Sequence, residues 1–354
     1  MRIRRDFSGA NISVKAINGN MLVLEPEQRD SSIPYFYWCF CIEGAQGKTL
    51  RFRFPEDCVG YFGAAVSRDL HCWKWSGSAD GDGNGFCYAF SADEDRVYFC
   101  HDMRYAVERF DNFARVCSNL TRFPFATSRH GREVPGFVAG EGERWLVLAS
   151  RHHSCESTGT YVLEGAVAEY LRHPLPGVRL LAVPFMDMDG VQEGDPGKCR
   201  RPHDHNRDYA QGLYPEVRAM MDFGRTHRIA YFLDLHSPWH MGGRNDTVFI
   251  ITPGHEMEEP IRRLGGFLSR EAGALYDPAN TMPWNTEWNI PTPPDECPAA
   301  QFFGALPGVR YSTILETAYF GTKERPMDEE RLLFLGGCLM RALRQMVKGE
   351  ETIC

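Results

Sequence analysis

The rhythm of apolar and polar positions changes once along this chain, near residue 105. Before that point the apolar residues fall in short, aromatic-rich runs. "ISVKAINGNMLVLEP" reads as a hairpin turning at Asn18-Gly19-Asn20. "YFYWCFCIEGAQGKTLRFRF" reads as two strands around a Gly-containing turn, and "GFCYAFSADEDRVYFCHD" repeats that form. The loop "SGSADGDGNG" is too polar and Gly-rich for a core. Many short strands with regular turn signals predict a β-sandwich.

Beyond that point helical spacing begins with "RYAVERFDNFARVCSNL", and strands then alternate with helices. "RWLVLAS" reads as a buried strand followed by a helix from about Ser157 to Arg172. "VRLLAVPFM", "IAYFLDLH", "DTVFIITPG" and "VRYSTILETAYF" read as further strands. "PEVRAMMDFGRTH", "HEMEEPIRRLGGFLSREAG" and "DEERLLFLGGCLMRALRQMVKG" read as helices. Pro260 fits a first turn, and Asp328 lies near a cap. The alternation predicts an α/β layer structure around a largely buried sheet. Residues 277–307 are rich in Pro, Asn and Trp and carry no periodicity. Because regular signals resume after them, they read as a functional loop.

Composition narrows the function classes. The 354 residues are 43% hydrophobic and 24% charged, with a net charge of -8. That balance fits a globular protein and argues against a nucleic-acid partner, which calls for a basic excess. No apolar run approaches the ~18 residues of a membrane span. The basic N-terminus lacks an apolar signal core, and the 12 cysteines form no CxxC pair. Cytoplasmic location with reduced thiols is the expectation.

Candidate chemistry gathers where strands end, the usual place for sites in open α/β sheets. "WLVLAS" runs into His152, His153 and Glu156, "IAYFLDL" into His236, and "RYSTIL" into Glu316. Catalytic zinc commonly takes three His or Glu ligands and leaves a fourth position open. His153 and Glu156, three apart in a strand-to-helix turn, can reach one ion, and His236 can complete the set. Glu316 is then free for acid–base work. Each residue alone has an ordinary explanation: HxxE is a weak motif, and a strand-end histidine is commonly a hydrogen-bonded structural residue. An acid in an apolar strand is harder to explain without a partner. His152 competes with His153 but reads better as a packing or supporting residue. Cys155 is expected to point away.

The order of these residues resembles that of the zinc carboxypeptidases: "HSCE" (His153, Glu156), "DHNRDY" (Asn206, Arg207), "LDLHSP" (His236) and "ILETAY" (Glu316). The β-rich segment containing "FYWCFCIEGAQGKTLRFRF" further resembles the N-terminal β-sandwich of the cytosolic carboxypeptidase subfamily. The resemblance implies an N-terminal antiparallel β-sandwich domain, residues 1–108. It implies a catalytic α/β domain, residues 109–354, with a mixed central sheet flanked by helices. It implies one zinc ion per chain on His153, Glu156 and His236, with Asp204 fixing a ligand histidine. Asn206 and Arg207 would clamp the terminal carboxylate of a peptide or protein substrate. Glu316 would move the proton of a zinc-bound water to the leaving amine. For the oxyanion, "GKCR" points to Arg200, with Lys198 and Arg201 as competitors. The chain departs from the pattern in carrying Ser-Cys between His153 and Glu156, where relatives carry Pro-Gly. It also has no tyrosine from Asp277 to Arg310.

The implied activity is hydrolysis of C-terminal peptide bonds. The alternative on the same ligands is a deacylase of N-acyl amino acids, of the aspartoacylase or succinylglutamate desuccinylase type. Such deacylases carry their extra β-domain after the catalytic part, whereas here the β-rich region comes first. A non-catalytic binding module would be expected to lose a ligand or the late glutamate, and all four positions are filled.

Overall fold

The computed structural model describes residues 1–351. The first hundred residues carry β1 (Arg2–Arg4), β2 (Ser13–Asn18), β3 (Met21–Glu25), β4 (Cys39–Glu43), β5 (Thr49–Arg53), β6 (Ala65–Ser67), β7 (Lys74–Trp75), β8 (Gly85–Ala89) and β9 (Arg96–Cys100). They form two sheets, ordered β1-β4-β9-β6-β7 and β2-β3-β5-β8. β2 and β3 are the expected hairpin, with Asn18 opposite Met21 and Gly19 at positive φ. The aromatic-rich runs behave differently from hairpins: β4 and β5, and likewise β8 and β9, lie in different sheets. Each of these two connections therefore carries the chain across a shared core. Phe40 and Phe99 from one sheet meet Phe52 and Phe86 from the other, with ring centroids 4.8–6.0 Å apart. The second sheet is mixed, since β3 and β5 run parallel.

The rest of the chain is built from α1 (Val107–Val116), β10 (Thr121–Thr127), β11 (Glu133–Ala139), β12 (Arg144–Ser150), α2 (Ser157–Arg172), β13 (Val178–Val183), α3 (Met188–Glu193), α4 (Pro215–Thr226), β14 (Arg228–His236), β15 (Val248–Ile251), α5 (Glu258–Ala272), α6 (Ala299–Gly304), β16 (Tyr311–Thr317) and α7 (Glu329–Glu351). Its seven-stranded sheet runs β10-β11-β13-β12-β14-β16-β15. The central strands β13, β12, β14 and β16 are parallel, and antiparallel pairs close both sides. Central strands covered on both faces need near-continuous apolar sequence, and β14 is buried at every position after Arg228.

Two helices lie close against this sheet and each other. A side chain at Gly159 on α2 would collide with the Leu235 carbonyl of β14. Further along, Gly165 of α2 and Gly336 of α7 let the two helix backbones meet directly, where a Cβ on either would strike the other's carbonyl. This anchorage fixes the start of α2, and hence the turn before it, against the end of β14. No helix among the described residues is long and apolar enough to cross a membrane.

Candidate metal centre and active-site cleft

Three strand ends converge at the carboxyl edge of the seven-stranded sheet. β12 delivers the turn Arg151–Glu156, β14 ends at His236, and β16 carries Glu316 in register beside His236. The structure brings His153, Glu156 and His236 into one buried cluster. His153 Nδ1 lies 2.8 Å from Glu156 Oε1, and His236 Nδ1 lies 2.7 Å from Glu156 Oε2. The two imidazole Nδ1 atoms are 3.2 Å apart.

These donors fit a zinc ion. Ligands about 2.0–2.1 Å from zinc stand about 3.3 Å apart along a tetrahedral edge, close to the spacing of the two imidazole nitrogens. Both histidines turn Nδ1 inward and have a carboxylate behind them. Asp204 Oδ1 is 3.5 Å from His153 Nε2, and Asp234 Oδ2 is 2.9 Å from His236 Nε2. Carboxylates in these positions put negative charge behind each ligand histidine.

Electrostatics favour a charged cluster despite its burial. Burial alone would raise the Glu156 carboxyl, but His153, Lys198 and His236 outweigh it and hold it well below the usual range. Burial likewise opposes ionisation of Asp204 and Asp234, yet His153 holds the first low and His152 the second. Glu316 behaves oppositely. Burial pushes its carboxyl up to about 7, against the pull of His236. Glu316 Oε2 is buried, accepts no hydrogen bond and belongs to the wall of the cleft. It is a free acceptor beside the ligand cluster.

His152 is fully engaged elsewhere. Its Nδ1 contacts Asp234 Oδ1 at 2.8 Å and its Nε2 contacts the Tyr209 hydroxyl at 2.7 Å. Cys155 is buried with its Sγ 3.6 Å from the Tyr319 hydroxyl. The neighbouring histidines have structural partners: His203 pairs with Asp208 and His205 with Glu216.

The next stretch of the wall comes from residues 198–207. Asp204 caps a short helical turn by accepting from Asn206 N, and accepts from Cys199 N as well. One carboxylate thus ties the basic turn, the Asn-Arg pair and His153 together. Asn206 Oδ1 accepts from Ala299 N at the start of α6, leaving its NH2 for other work. Arg207 is about a third exposed, with Glu296 3.8 Å away.

Of the basic candidates, Lys198 reaches the cluster, with Nζ 2.7 Å from Glu156 Oε1. Arg200 lines the same cleft but is held by three carboxylates: Asp30, Asp187 at 2.6 Å and Asp195 at 3.4 Å. The N-terminal region braces this turn. Ser31 Oγ donates to the Lys198 carbonyl, and both Ser32 N and its hydroxyl donate to the Cys199 carbonyl.

Two residues of this constellation stand outside the sequence reading: Asp234, which touches both His152 and His236, and Tyr209. Asp234 had a visible signal, an acid two positions before a strand-end histidine in an otherwise apolar run. Tyr209 had none, because its contact with His152 spans 57 positions.

No protein-family profile matches the chain. It is 25% identical over 261 residues to the uncharacterised protein ZMO1242 of Zymomonas mobilis, an alignment covering 67% of each chain. Solved structures match the chain in shape. A metallo-carboxypeptidase from Pseudomonas aeruginosa, in complex with (2-guanidinoethylmercapto)succinic acid, superimposes with a TM-score of 0.79. It is 20% identical and covers 98% of this chain and 99% of its own. A metallo-carboxypeptidase from Burkholderia cenocepacia gives 0.80 at 17% identity, covering 98% and 99%. Bovine thrombin-activatable fibrinolysis inhibitor gives 0.53 at 13% identity, covering 71% of this chain and 98% of its own. The chain therefore has the metallo-carboxypeptidase fold.

Proposed function

We propose that this protein is a zinc-dependent metallocarboxypeptidase that hydrolyses C-terminal peptide bonds of peptides or proteins. The observation that carries this reading is the buried cluster of His153, Glu156 and His236, with Glu316 in register beside His236 on the next strand. This sets a ligand set and an acid–base group side by side, as metal-assisted hydrolysis requires.

His153, Glu156 and His236 hold the ion. When bound, zinc polarises the scissile carbonyl and makes a water acidic enough to attack near neutral pH. Glu316 takes the proton of the attacking water and returns it to the leaving amine. Its buried place beside His236, with an oxygen that accepts no hydrogen bond, suits it to both steps. Asn206 and Arg207 receive the terminal carboxylate, which a guanidinium can meet with two parallel hydrogen bonds. Lys198 stabilises the oxyanion. Its ammonium already stands at the cluster, whereas the Arg200 guanidinium is occupied in fixing the turn to Asp187 and the N-terminal region.

The same reading includes a β-sandwich domain over residues 1–108 and a catalytic domain over residues 109–354, as in the cytosolic carboxypeptidase subfamily. The confinement of β1–β9 to the first hundred residues supports it.

The test compares one peptide with a free C-terminus, its C-terminal amide, and a set of N-acyl amino acids, each incubated with zinc-loaded protein. Trimming of the free peptide alone is expected, because the amide offers Arg207 no carboxylate. Turnover of the N-acyl amino acids without trimming would transfer the site to the deacylase class.

A further inference from the structure

Resting on the carboxypeptidase reading, we infer that this site selects a neutral, bulky apolar C-terminal residue and rejects acidic and basic ones. The inference comes from what lies between Arg207 and Glu316 in a cavity of about 590 Å³.

Strand geometry supplies the floor. Side chains alternate along a strand, so Ile314 shares the face of Glu316, two residues away and about 7 Å along the strand. Ile251 of β15 stands directly opposite Ile314 in the antiparallel pair, on that same face. Both isoleucines line the cavity and are almost wholly buried. A terminal residue with its carboxylate on Arg207 and its peptide bond beside Glu316 turns its side chain toward them.

The rim is apolar as well. Trp239, Trp288 and Ile290 border this cavity, and each exposes 45–53% of its surface to solvent. Exposed apolar groups gathered around one concavity mark a binding surface. The polar groups on the same wall, Asn245, Thr292 and Gln301, are uncharged.

Charge is absent where the side chain would go. None of the three lysine or arginine cations on the cavity wall is left for the side chain: Lys198, 2.7 Å from Glu156, is assigned to the oxyanion, Arg207 to the terminal carboxylate, and Arg200 is held by Asp187 at 2.6 Å. The wall's carboxylates are engaged too, with Asp204 on His153, Glu296 on Arg207 and Glu316 at the reacting end. A glutamate side chain entering over Ile314 would lose its hydration without gaining a cation. A lysine would find Asp204 and Glu296 already paired and could reach only Glu316, whose carboxylate is committed to the attacking water. Burying an ion without a partner is costly.

Two measurements decide the matter. Peptides identical but for a last residue of Phe, Leu, Glu or Lys are mixed and trimmed by the zinc-loaded protein, followed by mass spectrometry. Calorimetry then compares 2-benzylsuccinate with propane-1,2,3-tricarboxylate, which differ in apolar against charged character. Phe and Leu are expected to be removed at least ~100-fold faster than Glu or Lys, and benzylsuccinate to bind more tightly by a similar factor.

Trimming led by Glu or Lys overturns the inference and leaves the carboxypeptidase reading standing. No trimming, with preferential benzylsuccinate binding, removes the peptidase reading and upholds the apolar pocket. Binding of neither succinate, or a preference for the tricarboxylate, overturns the pocket. Gln301→Arg puts a cation on this wall and should raise Glu relative to Phe about 10-fold. An unchanged ratio would place the selected side chain elsewhere and refute the assignment.

Discussion

His236 and Glu316 stand directly opposite each other on the adjacent parallel strands β14 and β16. One is assigned to hold the ion, the other to move the proton, and the strand pairing sets their distance. The two duties should therefore separate by mutation. Glu316→Gln keeps the shape of the site and removes the base. It should retain one zinc per chain while kcat falls about 100- to 10,000-fold. Zinc content by mass spectrometry and turnover on a single peptide check both halves.

Lys198 presents a different balance. Its ammonium competes with any cation for Glu156, from 2.7 Å away, and is assigned to the developing oxyanion. Lys198→Met should leave zinc affinity equal or tighter, measured by chelator competition. At the same time kcat/KM should fall about 100- to 1,000-fold. A merely structural lysine would weaken the metal site and activity together.

Asp234 touches both His236 and His152. Asp234→Asn keeps the volume but removes the charge behind a ligand histidine. Zinc affinity should drop about 10- to 100-fold, with KM for peptide little changed in the fully loaded protein. Unchanged zinc affinity would show that Asp234 does not orient His236.

His240 gives a stability signature away from the metal cluster. It packs against Phe36, His101 and Phe320, and burial pushes its imidazole down to about 4 from an ordinary 6.5. The folded state holds the neutral ring, so between these values the unfolded chain binds the proton more readily. The stabilisation is complete above pH 6.5 and is lost as pH falls toward 4. At 1.36 kcal/mol per unit, the loss amounts to about 3 kcal/mol. His240 Nε2 has no hydrogen-bond partner, so His240→Phe should fold at neutral pH and remove this share of the slope, leaving the share of the neighbouring His101, whose imidazole burial also holds low. Urea unfolding of both proteins from pH 7 to 4 checks it.

The residues differ in how plainly the sequence displays them, for physical reasons. β12, β14 and β16 are buried on both faces, so they read as apolar runs whose polar ends stand out. That is why His153, Glu156, His236 and Glu316 are visible as candidates. The helix predicted from Ser157 to Arg172 has those bounds in the structure. β10 is silent in the sequence because it is a half-exposed edge strand with Pro124 in its middle, and β11 because Pro135-Gly136 interrupts its apolar run. α6 is only six residues long and lies hidden in a loop without periodicity. Arg200 and Lys198 could not be separated by motif. Their difference comes from Asp30, Asp187 and Glu156, partners 13 to 170 positions distant that only folding brings near.

The most direct test of the central claim is a mass spectrum of a mixed peptide library after incubation with the zinc-loaded protein, beside the Glu316→Gln variant. The account predicts stepwise loss of C-terminal residues by the parent protein and an intact library with the variant. An intact library in both samples, or the same ladder in both, would contradict it.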